Sequence, residues 1–161
     1  MEQLLQSLSA DHPDIHFVAG KTFYWSPTSQ EVFYKYSSID QSSLWSLLHE
    51  TGHALLGHTR YVLDFELLQM ELAAWQKASE LAECHGIAMD TDHIENCLDS
   101  YRDWLHRRSI CPSCGTQALQ IDEGSAYRCY NCQNTWKVTP SRFCRPYRQG
   151  VAKTKSPATF R

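Results

Sequence analysis

Apolar residues recur at helical spacing in three long segments of the chain. The first lies between Asp40 and Arg60, where Glu50 is the only charged residue. The second covers residues 64–86 and the third covers residues 91–108. The pattern predicts three helices. Apolar positions of the first are Leu44, Trp45, Leu47, Leu48, Ala54, Leu55 and Leu56.

Three short stretches rich in β-branched and aromatic residues precede the first long helix. They are Ile15–Ala19, Phe23–Ser26 and Glu31–Tyr36, and residues 27–30 predict a turn that joins the last two as a hairpin. Residues 1–9 have the spacing of a short amphipathic helix. A small sheet followed by helices predicts an α+β fold.

The middle of the first long helix carries the sequence HETGH at residues 49–53. Residues four apart share a helix face, so the imidazoles of His49 and His53 can reach one metal ion. Glu50 then lies beside the metal, where it can take a proton from a water that the metal activates. The alternative, two hydrogen-bonded core histidines, leaves a glutamate on an apolar helix without explanation.

A catalytic zinc site needs a third protein ligand. Thr59 occupies the position six residues after His53, so the common pattern with a third histidine there is excluded. Glu71 follows His53 by 18 residues and lies amid apolar residues of the second predicted helix. A carboxylate on that buried face needs a partner, and a metal ion is a sufficient one. Glu66 and Asp64 are the alternative ligands, and a separate alternative is that Glu71 is only a surface charge.

Three more histidines lie near this motif. His58 follows His53 by five residues, about 500° around a helix, so we expect it to support the ligands or the fold rather than bind metal. His85 and His93 follow the second helix. Either can line a metal cleft and stabilise a transition-state oxygen, or simply pack.

Three runs of sequence resemble the ImmA/IrrE family of metallopeptidases: LLHETGHALLGH (47–58), MELAAW (70–75) and ELAECHGI (80–87). The resemblance covers about residues 14–90. It implies a small zincin-like metallopeptidase fold. It also implies peptide-bond hydrolysis, often in a DNA-binding regulator.

Carried over residue by residue, the resemblance implies that His49 and His53 bind zinc, with Glu71 as the third ligand and Glu50 as the catalytic glutamate. Zincin-type peptidases generally present a strand edge beside the metal, where an extended peptide can add. Residues 31–36 are the candidate edge. The alternative is a hairpin that only covers the core.

Two C-x-x-C knuckles form the second strong motif of the chain. Cys111, Cys114, Cys129 and Cys132 are placed to complete a closed, tetrahedral, structural zinc site. Strand-like segments between and after the knuckles resemble a zinc ribbon, whose small core depends on the metal for folding. Two disulfides are disfavoured, because no secretory signal is present and the total of seven cysteines is odd.

Charge is distributed unevenly along the chain. Residues 1–100 carry 4 Lys and Arg against 15 Asp and Glu, and residues 101–161 carry 11 against 3, giving −11 and +8. We expect nucleic acid or an acidic protein as the partner of the basic half, or else docking on an acidic half of this protein. Around the ribbon and in the tail, the basic residues that a partner could contact are Arg107, Arg108, Arg128, Lys137, Arg142, Arg145, Arg148, Lys153, Lys155 and Arg161. The aromatic candidates for base stacking are Tyr127, Tyr130 and Trp136, and the alternative for Trp136 is a place in the ribbon core.

These features divide the chain into four parts. We predict a zincin-like domain at 1–90, a connecting helix at 91–108, a zinc ribbon at 109–140 and a flexible basic tail at 141–161. No apolar run is long enough to span a bilayer and no targeting segment is evident, so we expect a reducing, cytoplasmic setting without membrane partners.

Three classes of function fit these predictions. The first is a zinc endopeptidase that cleaves a protein substrate. The second is a nucleic-acid-associated protease resembling SprT-like proteins, which take their third ligand from a downstream histidine; none lies between His58 and His85. The third is a non-enzymatic regulator that binds partners through the ribbon.

Overall fold

The chain folds into two compact units. The computed structural model describes residues 1–36, 40–121, 123–139 and 148–150. The first unit comprises Met1–Tyr61 and Phe65–Asp99, and the second comprises Val62–Asp64 and Ser100–Arg161. Helices and small sheets occur together, which confirms the α+β class. No helix within the described ranges is long and apolar enough to cross a membrane.

The helices of the chain follow the predicted apolar segments. They are α1 (Glu2–Asp11), α2 (Gln41–Leu55), α3 (Asp64–Cys84) and α4 (Thr91–Ser109). Three strands lie between α1 and α2, namely β1 (His16–Gly20), β2 (Tyr24–Ser26) and β3 (Glu31–Lys35). The first unit contains α1, the three strands, α2, nearly all of α3 and the first half of α4.

The sheet of the first unit has β3 in the middle. β3 pairs in parallel with β1 and antiparallel with β2, so the order is β1-β3-β2. The predicted hairpin is therefore present, but the expectation that residues 31–36 form the sheet edge is wrong. The reason is that β1 pairs with the edge of β3 that β2 leaves free, so neither edge of β3 is open. Val32 of β3 is fully buried. The outer strand of the hairpin is β2.

The core of the first unit forms between this sheet and the apolar helix faces. Its fully buried aliphatic residues include Leu8 on α1, Val32 on β3 and Leu47 on α2. The side of α2 that faces α3 approaches it closely at Gly52. A Cβ added there would lie 2.6 Å from the carbonyl oxygen of Ala74, so only glycine permits this spacing of the two helix axes.

The second unit contains a four-stranded antiparallel sheet. Its strands are β4 (Leu119–Ile121), β5 (Ala126–Arg128), β6 (Thr135–Val138) and β7 (Arg148–Gly150), in that order across the sheet. The first three match the strands expected in the ribbon. β7 lies in the segment predicted to be a flexible tail, and that prediction is wrong for these three residues because they pair with β6. Residues 141–147 and 151–161 lie outside the described residues.

A buried polar cluster closes the core of the second unit. The Asp64 carboxylate accepts hydrogen bonds of 2.5 Å from Arg108 Nε and Tyr127 Oη. Burial and the neighbouring Asp64 raise the pKa of Tyr127. Tyr127 also stacks on Trp136, with ring centroids 5.7 Å apart, and Arg108 is 5% exposed.

This cluster corrects three sequence-based expectations. Asp64 is bonded to Arg108 and is not available as the alternative metal ligand. Arg108 is not available to a charged partner, and Tyr127 is a core residue rather than a surface for base stacking. Trp136 takes its alternative place in the ribbon core. A buried cation with a buried carboxylate partner avoids the large desolvation cost of an unpaired charge.

Candidate metal centres

Three buried side chains converge between α2 and α3. The Nε2 atoms of His49 and His53 are 3.1 Å apart. Glu71 Oε2 lies 3.1 Å from the first of these nitrogens and 3.7 Å from the second. All three residues are buried, and the chain thereby brings together the three ligands that the sequence predicted.

These distances fit a single tetrahedral metal ion. Metal–ligand bonds of about 2.0–2.2 Å at tetrahedral angles separate neighbouring ligand atoms by about 3.3–3.6 Å. The observed separations of 3.1–3.7 Å span that range. Two imidazole nitrogens and one carboxylate oxygen are a donor set suited to zinc, and three protein ligands leave a fourth position for water or substrate.

The carboxylate of Glu71 is held in its charged form. Burial opposes ionisation, but hydrogen bonds from His49 and His53 outweigh it and lower the pKa of Glu71 well below its usual value. Its side chain is only 8% exposed. An ionised carboxylate in such a place needs a positive partner, and a divalent cation between Glu71 and the two imidazoles meets that need.

Packing orients the first histidine. The ring of His49 stacks on Trp75, with centroids 4.2 Å apart and planes 29° from parallel. Its Nδ1 is buried and has no hydrogen-bond partner within the described part of the chain. Nε2 therefore remains the nitrogen directed at the other two ligands, and stacking rather than hydrogen bonding sets the ring plane.

Glu50 lies beside this cluster without joining it. Its Oε2 accepts a 2.8 Å hydrogen bond from the backbone N–H of Trp25 on β2. The bond places the Glu50 carboxylate against β2, one of the two outer strands of the sheet. Neither Glu50 nor Glu66 belongs to the group of three side chains that could share a metal ion.

The other histidines occupy different surroundings. His58 Nδ1 lies 2.8 Å from Nδ1 of His53, and burial together with the neighbouring His53 lowers the pKa of His58. His85 lies 3.7 Å from Asp11. The ring of His93 packs between those of Trp45 and Trp75. The last two histidines therefore pack, and neither belongs to the His-His-Glu cluster.

The four knuckle cysteines form the second candidate centre. Cys111 and Cys132 have their sulfur atoms 3.5 Å apart, and so do Cys114 and Cys129. Disulfide sulfurs would be about 2.05 Å apart, and the six described cysteines are free. Four sulfurs this close suit a tetrahedral ion, whose thiolate ligands lie about 3.8 Å from one another.

The two knuckles share one backbone design. In the first, Gly115 donates its N–H to the carbonyl of Cys111, and in the second Gln133 donates to Cys129. Both donors have positive φ, 72° and 60°, which curls each turn around its sulfurs. Contacts with Thr116 and Asn131 lower the pKa of the Cys114 thiol to about 5. Burial and the neighbouring thiols raise the pKa of Cys132 to about 12, so without a cation the four sulfurs do not all favour the thiolate, the form that binds metal.

Comparison with known proteins adds no assignment. No family model matches the sequence, and no significant match occurs among the curated proteins or the solved structures.

Two residues near the His-His-Glu cluster escaped the sequence analysis. Trp75 follows Glu71 by four residues and so shares its helix face, a signal that was available. Trp25 has no such signal, because its bond to Glu50 joins residues 25 positions apart.

We expect Glu71→Ala to release the metal from the His-His-Glu cluster. The substitution removes one of three ligands, so the purified chain should lose about one metal equivalent. Glu66→Ala is the matched control on the same helix and should leave the metal content unchanged. Elemental analysis after gel filtration measures both, and the reverse result would show that the register assigned to α3 is wrong.

We expect Gly52→Ala to weaken the same site by separating two helices. The added methyl group forces α3 away from α2, an overpacking that costs about 1–3 kcal/mol, and carries Glu71 with it. Gly86→Ala is the control, since its φ of +65° imposes backbone strain but nothing lies within 4 Å of an added Cβ. Thermal unfolding should detect a loss in both variants, and zinc titration a loss of affinity in Gly52→Ala alone. Equal zinc affinity in the two variants would contradict the account.

Proposed function

We propose that this protein is a zinc-dependent endopeptidase with a zincin-like domain of the ImmA/IrrE type and a structural zinc ribbon. The proposal rests on the convergence of His49, His53 and Glu71 on one point. Glu50 is the next residue after His49 and stands outside that group, bonded to Trp25. Two histidines and a glutamate around an open position are the ligand set of a hydrolytic zinc site. The four cysteines form a closed set and therefore suit a structural ion.

The reaction assigns separate roles to the metal and to the chain. A zinc ion held by the three ligands would supply Lewis-acid activation of a water molecule and of the scissile carbonyl. Glu50 takes the proton from the attacking water and passes it to the leaving amine. The hydrogen bond from the Trp25 N–H fixes the position of the Glu50 carboxylate relative to the sheet.

The substrate is proposed to be a protein segment in an extended conformation. β2, rather than β3, is the outer strand beside Glu50, and its Trp25 amide points to that carboxylate. An extended chain that adds along β2 would therefore present its peptide bonds next to the general base. The resemblance to the ImmA/IrrE family suggests a DNA-binding regulator as the protein that is cleaved.

Two alternative functions are less well supported. A SprT-like protease would take its third ligand from a histidine, whereas the third donor here is Glu71, and the next downstream histidine, His85, lies beside Asp11. A purely structural regulator would have no need of a carboxylate held beside the metal-binding atoms. The position of Glu50 favours an enzyme.

We expect Glu50→Gln to retain both metals and lose proteolysis. Glutamine keeps an oxygen for the Trp25 N–H but cannot accept a proton, so the rate should fall by about 10²–10⁴-fold. Comparing the proteomes of cells with the native chain and with Glu50→Gln would identify substrates as proteins that accumulate. Glu80→Gln, an equal charge change on exposed α3 surface, is the control. Cleavage undiminished in Glu50→Gln would contradict the mechanism.

We also propose that one face of the second unit's sheet recruits single-stranded nucleic acid. Because Tyr127 and Trp136 face the core, strand alternation directs Arg128 and Lys137 to the opposite, exposed face. Arg128 lies 5.6 Å over the ring of Tyr130, which is 60% exposed. Arg128 over an exposed aromatic ring, with Lys137 on the same face of the sheet, matches the phosphates and bases of a single strand.

We expect the double variant Arg128→Glu and Lys137→Glu to bind a single strand more weakly and with less dependence on salt. Removing two phosphate contacts should reduce the slope of log K against log salt by about 1.4. Fluorescence anisotropy with an oligothymidine measures this, and Lys77→Glu in the first unit is the control. Absence of binding by the native chain at low salt would remove nucleic acid as the partner and leave an acidic protein or an acidic half of this protein.

A further inference from the structure

We propose that His58 and Trp25 are positioning residues that fix the imidazole of His53 as a metal ligand. The inference rests on the proposed function only in taking His53 to bind metal. It concerns neither the substrate nor the catalytic step. Three contacts carry it, each between side chains or backbone groups of the first unit.

The first contact joins the two imidazoles. His53 directs Nε2 at His49 and Glu71, and its other nitrogen, Nδ1, lies 2.8 Å from Nδ1 of His58. A histidine that binds metal through Nε2 carries its proton on Nδ1 and donates it to a neighbour, which fixes the ring plane. His58 then accepts through Nδ1 and carries its own proton on Nε2. The neutral imidazole of His58 thus accepts the hydrogen bond that a carboxylate or a backbone carbonyl commonly accepts from a metal-bound histidine.

The second element is the turn that brings His58 to this position. On a continued helix, a residue five places after His53 would lie about 140° away from it. α2 instead ends in a Schellman turn, in which Gly57 N–H bonds Ala54 O and His58 N–H bonds His53 O, each at 3.0 Å. Gly57 has a φ of +62°, the left-handed conformation that the turn demands. The chain thus folds back and returns His58 to His53.

The third contact secures the turn from the sheet. The indole Nε1–H of Trp25 donates a 2.7 Å hydrogen bond to the carbonyl oxygen of His58. The same residue donates its backbone N–H to Glu50. Trp25 pairs with the fully buried Val32 on β3, so its position is set by the core. One residue of β2 therefore holds both Glu50 and the backbone that carries His58.

His58 cannot take the place of a metal ligand in this arrangement. It meets His53 on the side of the ring opposite Nε2, and the metal-directed atoms are those of the other three residues. Its contribution must therefore act through His53. The expected consequence of losing it is a His53 ring free to rotate, and hence a faster loss of metal.

The test measures zinc release to a chelator from the full chain, in native form and in variants. His58→Phe keeps a planar ring but has no acceptor, so zinc affinity at the His-His-Glu site should fall roughly 10- to 100-fold. His58→Gln offers an amide oxygen to Nδ1–H and should recover most of that loss. Trp25→Phe retains the backbone bond to Glu50 but lacks the indole donor, and should also release zinc faster than the native chain.

Two further measurements separate positioning from general destabilisation. The visible spectrum of the cobalt-substituted chain should change in His58→Phe and revert in His58→Gln, because it reports ligand geometry. His85→Phe, which removes a histidine outside the cluster, should change neither zinc release nor spectrum. Thermal unfolding of the metal-free chains identifies any variant that fails to fold. If His58→Phe does not fold, native-like zinc release in His58→Gln supports the positioning role, and fast release in a folded His58→Gln contradicts it.

The outcomes distinguish this inference from the proposed function. Native zinc affinity in His58→Phe would overturn the positioning role while leaving the peptidase proposal intact. If zinc binding is weaker in His58→Phe but the native chain cleaves no protein, the positioning role is supported and the peptidase proposal is contradicted. A native chain that binds no zinc at His49 and His53 would overturn both.

Discussion

The close contact between α2 and α3 at Gly52 is the constraint on which the candidate active site depends. With no side chain at that position, the backbone of one helix reaches the carbonyl of Ala74 on the other. Three residues before Ala74, Glu71 can then meet the two imidazoles that α2 presents one turn apart. A wider spacing would leave a buried carboxylate without its partners, which is the more costly arrangement.

The two clusters differ in the way that suits a reactive and a structural ion. The His-His-Glu set has three donors, and the carboxylate of Glu50, the residue after His49, is held by the sheet. The four cysteines come from two knuckles with matching backbone turns. They would fill all four coordination positions of a tetrahedral ion and leave none for water. In the second unit the small core of Tyr127 and Trp136 is supplemented by Asp64 and Arg108, and a metal would add the stability that so few apolar residues cannot supply.

Sequence patterns predicted whatever depends on local spacing. The i, i+4 histidines, the C-x-x-C knuckles, the three long helices and the hairpin all follow from periodicity or turn residues. Glu71 was found because a carboxylate among apolar residues needs a partner. Interactions that join distant parts of the chain were missed: β1 pairing with β3, Asp64 with Arg108, and Trp25 with Glu50 and His58. Such pairings depend on tertiary packing, and no local pattern of the sequence predicts them.

The most direct test of the account is the metal content of the native chain under graded chelation. Two zinc ions per chain are expected, and a mild chelator should remove one of them, since three protein ligands leave that ion accessible while four thiolates enclose the other. His49→Ala should abolish the labile ion and Cys111→Ser the resistant one. A single zinc per chain that survives the loss of His49 would contradict the central claim that His49, His53 and Glu71 form a metal site.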